Sequence, residues 1–419
     1  MNIEFKHTKI MKKNWLYIVC FACMATACSG TPQTVNEKLC SVDVASAMEN
    51  LTELKLSELG KDVRYVALET TDSCLIGASP DILLLDKYIV VFSHKDCFVF
   101  DKADGRFISK VGHTGDDPEA YSYAAATYND VDGLLYFQRA PNMLQKYDVQ
   151  GNYRGRVTIP TPPAAPGDFA FTDSLIVGHY NNIAMGYNAR ALLFFNEAGE
   201  QVDTVPSLFP VLPEKQVQDI ASISIKKQGI SAIVLTIFKD GSQSAAISGH
   251  PFLWKMDGKI QFKESFNDTV YTVKRDMLEP SVVFSTGKWH WGAEARTDSK
   301  DNESRLLVGA VFETENNIFF QCTRGLYTSE PEAFNGIHDR KSGTTRMYAE
   351  KEGITDDLTG FMPFHPKTCS MLGEYAMIVG SDEVLGWLEE HPEEAGNEKL
   401  AVLKTLTEDS NPVVVMTLP

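Results

Sequence analysis

The sequence lacks the marks of the commonest enzyme classes and of a chain that spans a membrane. No G-x-S-x-G elbow, H-E-x-x-H helix, Walker loop or G-x-G-x-x-G after a strand occurs, so the familiar hydrolase, zinc-protease and nucleotide-binding constellations are absent. No apolar run reaches the ~20 residues of a membrane helix. Cysteine is sparse. Beyond position 28 only Cys40, Cys74, Cys97, Cys322 and Cys369 remain, with no C-x-x-C pair and no histidine at zinc spacing. That argues against structural zinc and leaves five thiols to act as small buried hydrophobes. Positive charge is short as well: 39 Lys and Arg against 56 Asp and Glu give a net charge of −17. Such a polyanion is repelled by phosphate backbones, so nucleic acid is excluded as a partner. Hydrophobic residues at 43% and charged residues at 23% are globular values, so wholesale disorder is excluded too.

What the chain does carry begins at its N-terminus. Lys12-Lys13, an apolar run from Trp15 to Ala27 and then Cys28 follow the plan of a secretory signal. Ala25-Thr26-Ala27-Cys28 resembles the lipobox of bacterial lipoproteins, with Ala25 where leucine is commoner. The resemblance implies cleavage before Cys28, acylation of that cysteine and stable anchoring by several acyl chains. Met11 is an alternative start. Ser29 suits outer-membrane sorting, and which leaflet face the protein occupies stays open. The polar stretch from Thr31 to Glu37 suits a tether.

A repeat follows. Phe98-Val99-Phe100-Asp101 leads through Gly105 to Phe107-Ile108; Lys146-Tyr147-Asp148 leads through Gly151 to Tyr153; Phe194-Phe195-Asn196 leads through Gly199 to Val202. The turn-opening residues stand 47 and 48 apart. Asp and Asn bond to their own backbone downstream and Gly supplies positive φ, so these are hairpins. Looser copies at Asp257-Gly258 and at Asp339 to Gly343 come after gaps of 61 and 82, which imply inserted loops or a degenerate copy. Short strands are expected at 82–85, 88–92, 134–137, 175–177, 233–237 and 318–322. About four strands per unit, repeated, predicts an all-β chain: a six-bladed β-propeller. Val63 to Leu68 and Val413 to Met416 are apolar runs near the two ends, placed to close one blade from both termini and remove its free edge. Helical patterns are confined to 381–390 and 397–406, as decoration. The expected organisation is a signal at 1–27, a lipid-anchored tether and N-terminal segment at 28–55, and the propeller at 56–419.

The segment Leu56-Ser57-Glu58-Leu59-Gly60-Lys61-Asp62-Val63-Arg64-Tyr65-Val66-Ala67-Leu68-Glu69-Thr70 resembles the opening of a family of six-bladed propeller lipoproteins from the envelopes of Gram-negative anaerobes, distantly similar to NHL-repeat propellers. Gly112-His113-Thr114-Gly115-Asp116-Asp117-Pro118-Glu119-Ala120-Tyr121 is similar to that family's loop after the first hairpin, though it has no glycine beside the proline and carries Ala120 before Tyr121. Phe266 to Tyr271 and Asn411-Pro412-Val413 look like further family elements. The resemblance implies fold and envelope location, and brings no catalytic residues with it.

Candidate binding residues come from geometry. Loops from the outer strand of one blade to the inner strand of the next cross one face, where propellers hold ligands. Gly112 to Tyr121 and Gly353 to Pro366 are such loops. They put forward His113, Asp116, Asp117, Asp356, Asp357 and His365, joined by Arg324, as groups facing a central cleft; filling of the channel is the structural alternative. Trp289-His290-Trp291 offers an aromatic platform for a sugar ring or, more simply, a strand packed between blades. Asp173-Ser174-Leu175, Asp203-Thr204-Val205 and Asp268-Thr269-Val270 fit a weak O-glycosylation pattern. The leading expectation is a monomeric envelope lipoprotein, non-enzymatic and without cofactor, that binds a glycan, peptide or protein. The alternative is a propeller hydrolase or lyase with a central Ca²⁺ held by the acidic loops and a His/Asp pair.

Overall fold

Asp101, Asp148 and Asn196 each open a tight turn that sets the repeat. Their side-chain oxygens accept the backbone N–H two residues on, from Ala103, Gln150 and Ala198, at 2.8, 3.0 and 3.0 Å. Gly105, Gly151 and Gly199 supply φ of 76, 85 and 80°, a region closed to most L residues. Each turn joins the third and fourth strands of an antiparallel meander. The Asp339 to Gly343 turn does the same, but Asp257-Gly258 joins the first two strands of its sheet. There the turn between third and fourth strands is Lys274 to Met277, with no Asp–Gly signal.

This computed structural model describes residues 39–160, 166–180, 190–209, 215, 217–228, 231–248, 251–292 and 302–419; the signal, Cys28 and the tether lie outside them. The described strands form seven sheets. Sheets 1, 2 and 3 are four-stranded and occupy 81–110, 126–158 and 168–206; sheets 4 and 5 begin at Leu253 and Leu306. Sheet 6 takes its two inner strands, Thr368–Cys369 and Tyr375–Val379, and its third, Val413–Leu418, from the C-terminal part, and its outer strand, Asp62–Ala67, from the N-terminal part. The seventh, three-stranded and covering 220–248, fills the gap between the third and fourth hairpins, where a loop or hidden copy was expected.

Six hydrophobic clusters lie between these sheets in sequence. Val99 and Leu135 join sheets 1 and 2; Leu144 and Phe195 join 2 and 3; Leu192 and Phe262 join 3 and 4. Phe284 and Phe320 join 4 and 5, Phe319 and Tyr375 join 5 and 6, and Met416 and Phe100 join 6 to 1. The first strand of sheet 3 packs on the first strand of sheet 4, and Asp168 accepts the Phe252 and Leu253 N–H groups at 2.7 and 2.9 Å. The three-stranded sheet therefore stands aside from the succession, packed through Ile233 and Ile247 on Phe266, Trp291 and Leu326. Val63, Tyr65, Val66, Val413, Val414 and Val415 are all buried where the two ends of the chain pair. At ~2 kcal/mol per side chain their burial contributes on the order of 10 kcal/mol, an upper value.

The packed body starts before residue 56. Cys40–Val42 pairs in parallel with the outer strand of sheet 4, Leu278–Phe284, and the short helix Val44–Glu49 follows it. Ser381–Glu390 is helical, and Glu398–Thr405 forms a 3₁₀ helix whose Leu400 and Leu403 pack against sheet 6. Cys74, Cys97 and Cys322 are buried and Cys40 and Cys369 half-buried, all as free thiols.

Candidate functional site

Each first strand starts on the side where the connecting loops arrive and ends at a short turn on the opposite side. The loop side carries the first of the two predicted loops, Gly112 to Tyr121, between sheets 1 and 2. Gly112 has φ +56°, and a Cβ there would lie 2.8 Å from the rings of Tyr121 and Tyr147, so the loop needs glycine. Sheet 2 holds the loop from beneath. Arg139 donates to the carbonyls of Ala120 and Asp116 at 2.6 and 3.0 Å, Gln145 to that of Pro118 at 2.8 Å, and the Tyr147 hydroxyl to that of Glu119 at 2.5 Å. Asp117 accepts from the Glu119 and Ala120 N–H groups, and its other oxygen meets His113 Nε2 at 2.5 Å. The bond to His113 holds the Asp117 carboxyl below its ordinary range. Both side chains are exposed, as is Asp116.

The other predicted residues stand elsewhere. Arg324, at the end of the second strand of sheet 5, donates to Glu332 at 2.6 and 2.8 Å and lies over the Phe334 ring. Asp356 is buried, with one oxygen on the Leu358 and Thr359 N–H groups and the other on the Tyr65 and Thr359 hydroxyls. Asp357 accepts from the backbone N–H and hydroxyl of Ser57. His365 lies 3.9 Å from Glu350, and burial pushes its imidazole below the usual value. The structure thus brings His113 to Asp117 and ties Asp356 and Asp357 into the packing of the N-terminal segment. No group of three or more His, Cys, Asp or Glu that could hold a metal ion occurs among the described residues. The Trp289 to Trp291 segment is not a strand: Trp289 ends the 3₁₀ turn Gly287–Trp289, and His290 and Trp291 follow it in irregular chain; Trp291 is buried edge-on to Phe266 and Tyr327, and His290 bonds Asp268 at 2.9 Å.

Sequence reasoning missed the turn side. A cavity of 730 Å³ opens there, lined by turns between first and second strands of sheets 2, 4, 5 and 6, by Asp339 and Lys341 of the turn between the third and fourth strands of sheet 5, by residues 57–61 and by Pro419. An ion pair from Lys255 of sheet 4 to Asp130 of sheet 2 reaches past sheet 3. Glu313 is buried in the wall, accepting from Trp254 Nε1 at 2.9 Å and Arg340 at 2.5 Å; burial pushes its carboxyl up and the guanidinium opposes this. Lys61 and Lys341 reach the cavity without a side-chain partner among the described residues, and Met371 and Leu372 stand on its rim 64% and 55% exposed. An apolar pair inside the short turn Met371-Leu372-Gly373 was the one signal available, since turns ordinarily favour polar residues. Beneath it Lys102 of sheet 1 and Glu374 of sheet 6 form a buried ion pair at 2.9 Å.

Comparison with known proteins gives the chain a family and a similar fold, and stops short of a function. A family model described as Domain of unknown function (DUF4934) matches residues 39–417. The crystal structure of a "putative exported protein" from Bacteroides fragilis is similar over 90% of this chain and 98% of that one, with 13% identity and a TM-score of 0.59. The WD40 repeats of RRP9 are similar over 88% of this chain and 100% of that one, at 10% identity and a TM-score of 0.39. BamB from Moraxella catarrhalis is similar over 79% and 82%, at 8% identity and a TM-score of 0.31. No curated protein sequence matches the chain. None of these matches is specific to NHL repeats.

Proposed function

The chain belongs to the DUF4934 family, a domain of unknown function, and on that footing we propose that it is a cell-envelope lipoprotein whose six successive sheets close into a β-propeller and bind a peptide or protein segment at the turn-side cavity. The observation that carries the reading is that cavity. Four sheets contribute its walls, two lysines without a side-chain partner among the described residues and the Asp257 and Glu315 carboxylates line it, and two exposed apolar side chains rim it. Charges of both signs beside an apolar rim suit a peptide, whose backbone and side chains offer all three kinds of contact. The described lining residues include no aromatic ring, which disfavours a stacked sugar.

Closure into six blades is supported by the cluster joining sheet 6 to sheet 1, by the pairing of Asp62–Ala67 with Val413–Leu418 and by the direct packing of sheet 3 on sheet 4. Export is supported by the signal-like N-terminus and agrees with the description of the Bacteroides fragilis protein. Anchoring rests on Cys28. Cys28→Ala is expected to move the protein from membranes to the soluble fraction, and retention in membranes would contradict the anchor.

The binding reading is tested on peptide and glycan arrays probed with the mature chain and with a Lys61→Glu, Lys341→Glu, Met371→Asp triple variant. The expected result is a peptide class bound by the natural chain and lost at least ~10-fold by the variant, ~1.4 kcal/mol. Equal peptide binding by both proteins, or binding confined to glycans, overturns it.

A further inference from the structure

The three-stranded sheet has an edge that the rest of the fold does not use. Its first strand, Ile220–Gln228, pairs with Ser231–Phe238 on one side and, among the described residues, with nothing on the other. Residues 221–226 are all exposed, including Ile223 at 55% and Ile225 at 69%. A long edge strand with exposed isoleucines is a template for another strand. Ile223 and Ile225 project on one face, and Ser222, Ser224 and Lys226 on the other.

We propose that this edge pairs with the same edge of a second copy of the chain, antiparallel about a two-fold axis at Ser224. The sequence around that point is self-complementary. With Ser224 opposite Ser224 of the second copy, Ile223 falls opposite Ile225 and Ile225 opposite Ile223, so four exposed isoleucines become two cross-strand pairs on one face. Lys226 falls opposite Ser222, so no two lysines are placed directly across from one another. The same register makes a continuous six-stranded sheet with a self-complementary interface. Its area is that of a short strand pair, below the ~1,200 Å² of a standard interface, so the association is weak and is best detected by trapping.

The trap is a single cysteine in the full-length chain, treated with a short bis-maleimide in intact cells, with the unaltered chain and its own thiols as background. In the proposed register the two residues at position 224 have Cβ atoms about 5 Å apart, whereas two residues at position 222 stand about 13 Å apart along the strands. Both positions are exposed serines, so neither substitution disturbs folding. The expected result is a covalent dimer from Ser224→Cys in at least ~10-fold excess over Ser222→Cys, and its loss when Ile225→Lys is added, which sets a charge in each isoleucine pair. Equal trapping at both positions, no dimer from Ser224→Cys, an adduct to a different protein, or a dimer untouched by Ile225→Lys each overturns the proposal.

Discussion

Replacing Asn411 by alanine strikes the place where the end of the chain is fastened to its beginning. The Asn411 carboxamide is buried just before the last strand. Its oxygen accepts the Ile76 N–H at 2.9 Å, and its nitrogen donates to the carbonyls of Glu69 and Cys74 at 2.7 and 2.8 Å. These three groups belong to the connection from sheet 6 to sheet 1. Alanine leaves the Ile76 N–H and the Cys74 carbonyl without their partner, and the Glu69 carbonyl with the Cys74 thiol alone at 3.2 Å. Each unmet buried group costs ~1–3 kcal/mol, and partial relaxation brings the expected total to ~3–4 kcal/mol. Asn411→Asp keeps the acceptor for Ile76 but turns both donated bonds into repulsions between oxygens, so it should destabilise at least as strongly. The assay is equilibrium urea unfolding of the mature chain followed by tryptophan fluorescence, with the midpoint and the slope fitted separately. A loss of less than ~1 kcal/mol from Asn411→Ala with an unchanged slope would refute the reasoning, because a surface asparagine gives that result.

Other expectations concern charge. Lys102→Ala leaves Glu374 buried without its cation and should destabilise by ~3–5 kcal/mol, whereas the double replacement Lys102→Met, Glu374→Leu should recover most of that loss in the same unfolding assay. Lys263 is buried, donates to the Val308 carbonyl at 2.6 Å, and is pushed by burial down to about 8. Its native form holds the proton less tightly than the unfolded chain does, so stability should rise between pH 8 and about 10.5, by up to ~3 kcal/mol. Lys263→Met should flatten that rise in melting temperature; an identical pH profile in both proteins would contradict the burial argument. Gly112→Ala forces a methyl group into the rings of Tyr121 and Tyr147 at a positive φ. It should destabilise by ~2–4 kcal/mol and move the His113 imidazole resonances seen by NMR; unchanged resonances would show a loop that does not depend on glycine.

The repeat was legible because its turns have a chemistry that sequence displays: Asp or Asn accepting a neighbouring N–H, then glycine at positive φ. The same signal misled at Asp257-Gly258, since a tight turn reads alike whether it joins the first and second strands or the third and fourth. The pairing of the two ends was foreshadowed by two β-branched runs. The inserted sheet at 220–248 was not, because its alternation of Ile and Ser is that of any half-exposed strand and its place off the succession depends on contacts with Phe266 and Trp291. Among candidate residues, Asp117 and His113 were found together because they are four apart on one loop. Asp356 and Asp357 look like ligands in sequence and prove to be fasteners, because their partners Tyr65 and Ser57 lie some three hundred residues away. The cavity itself was hidden for the same reason: its walls are short turns from sheets widely separated along the chain.

Closure of the six sheets is the claim on which the cavity and the binding proposal both depend, and hydrogen exchange on the intact mature chain tests it without any substitution. If Asp62–Ala67 and Val413–Leu418 are two strands of one blade, peptides covering them should be protected to the same degree and lose that protection together as urea is raised, alongside the inner strands of sheets 1 and 5. Exchange of 62–67 within seconds while 413–418 stays protected, or loss of protection in the two segments at clearly different urea concentrations, would contradict it.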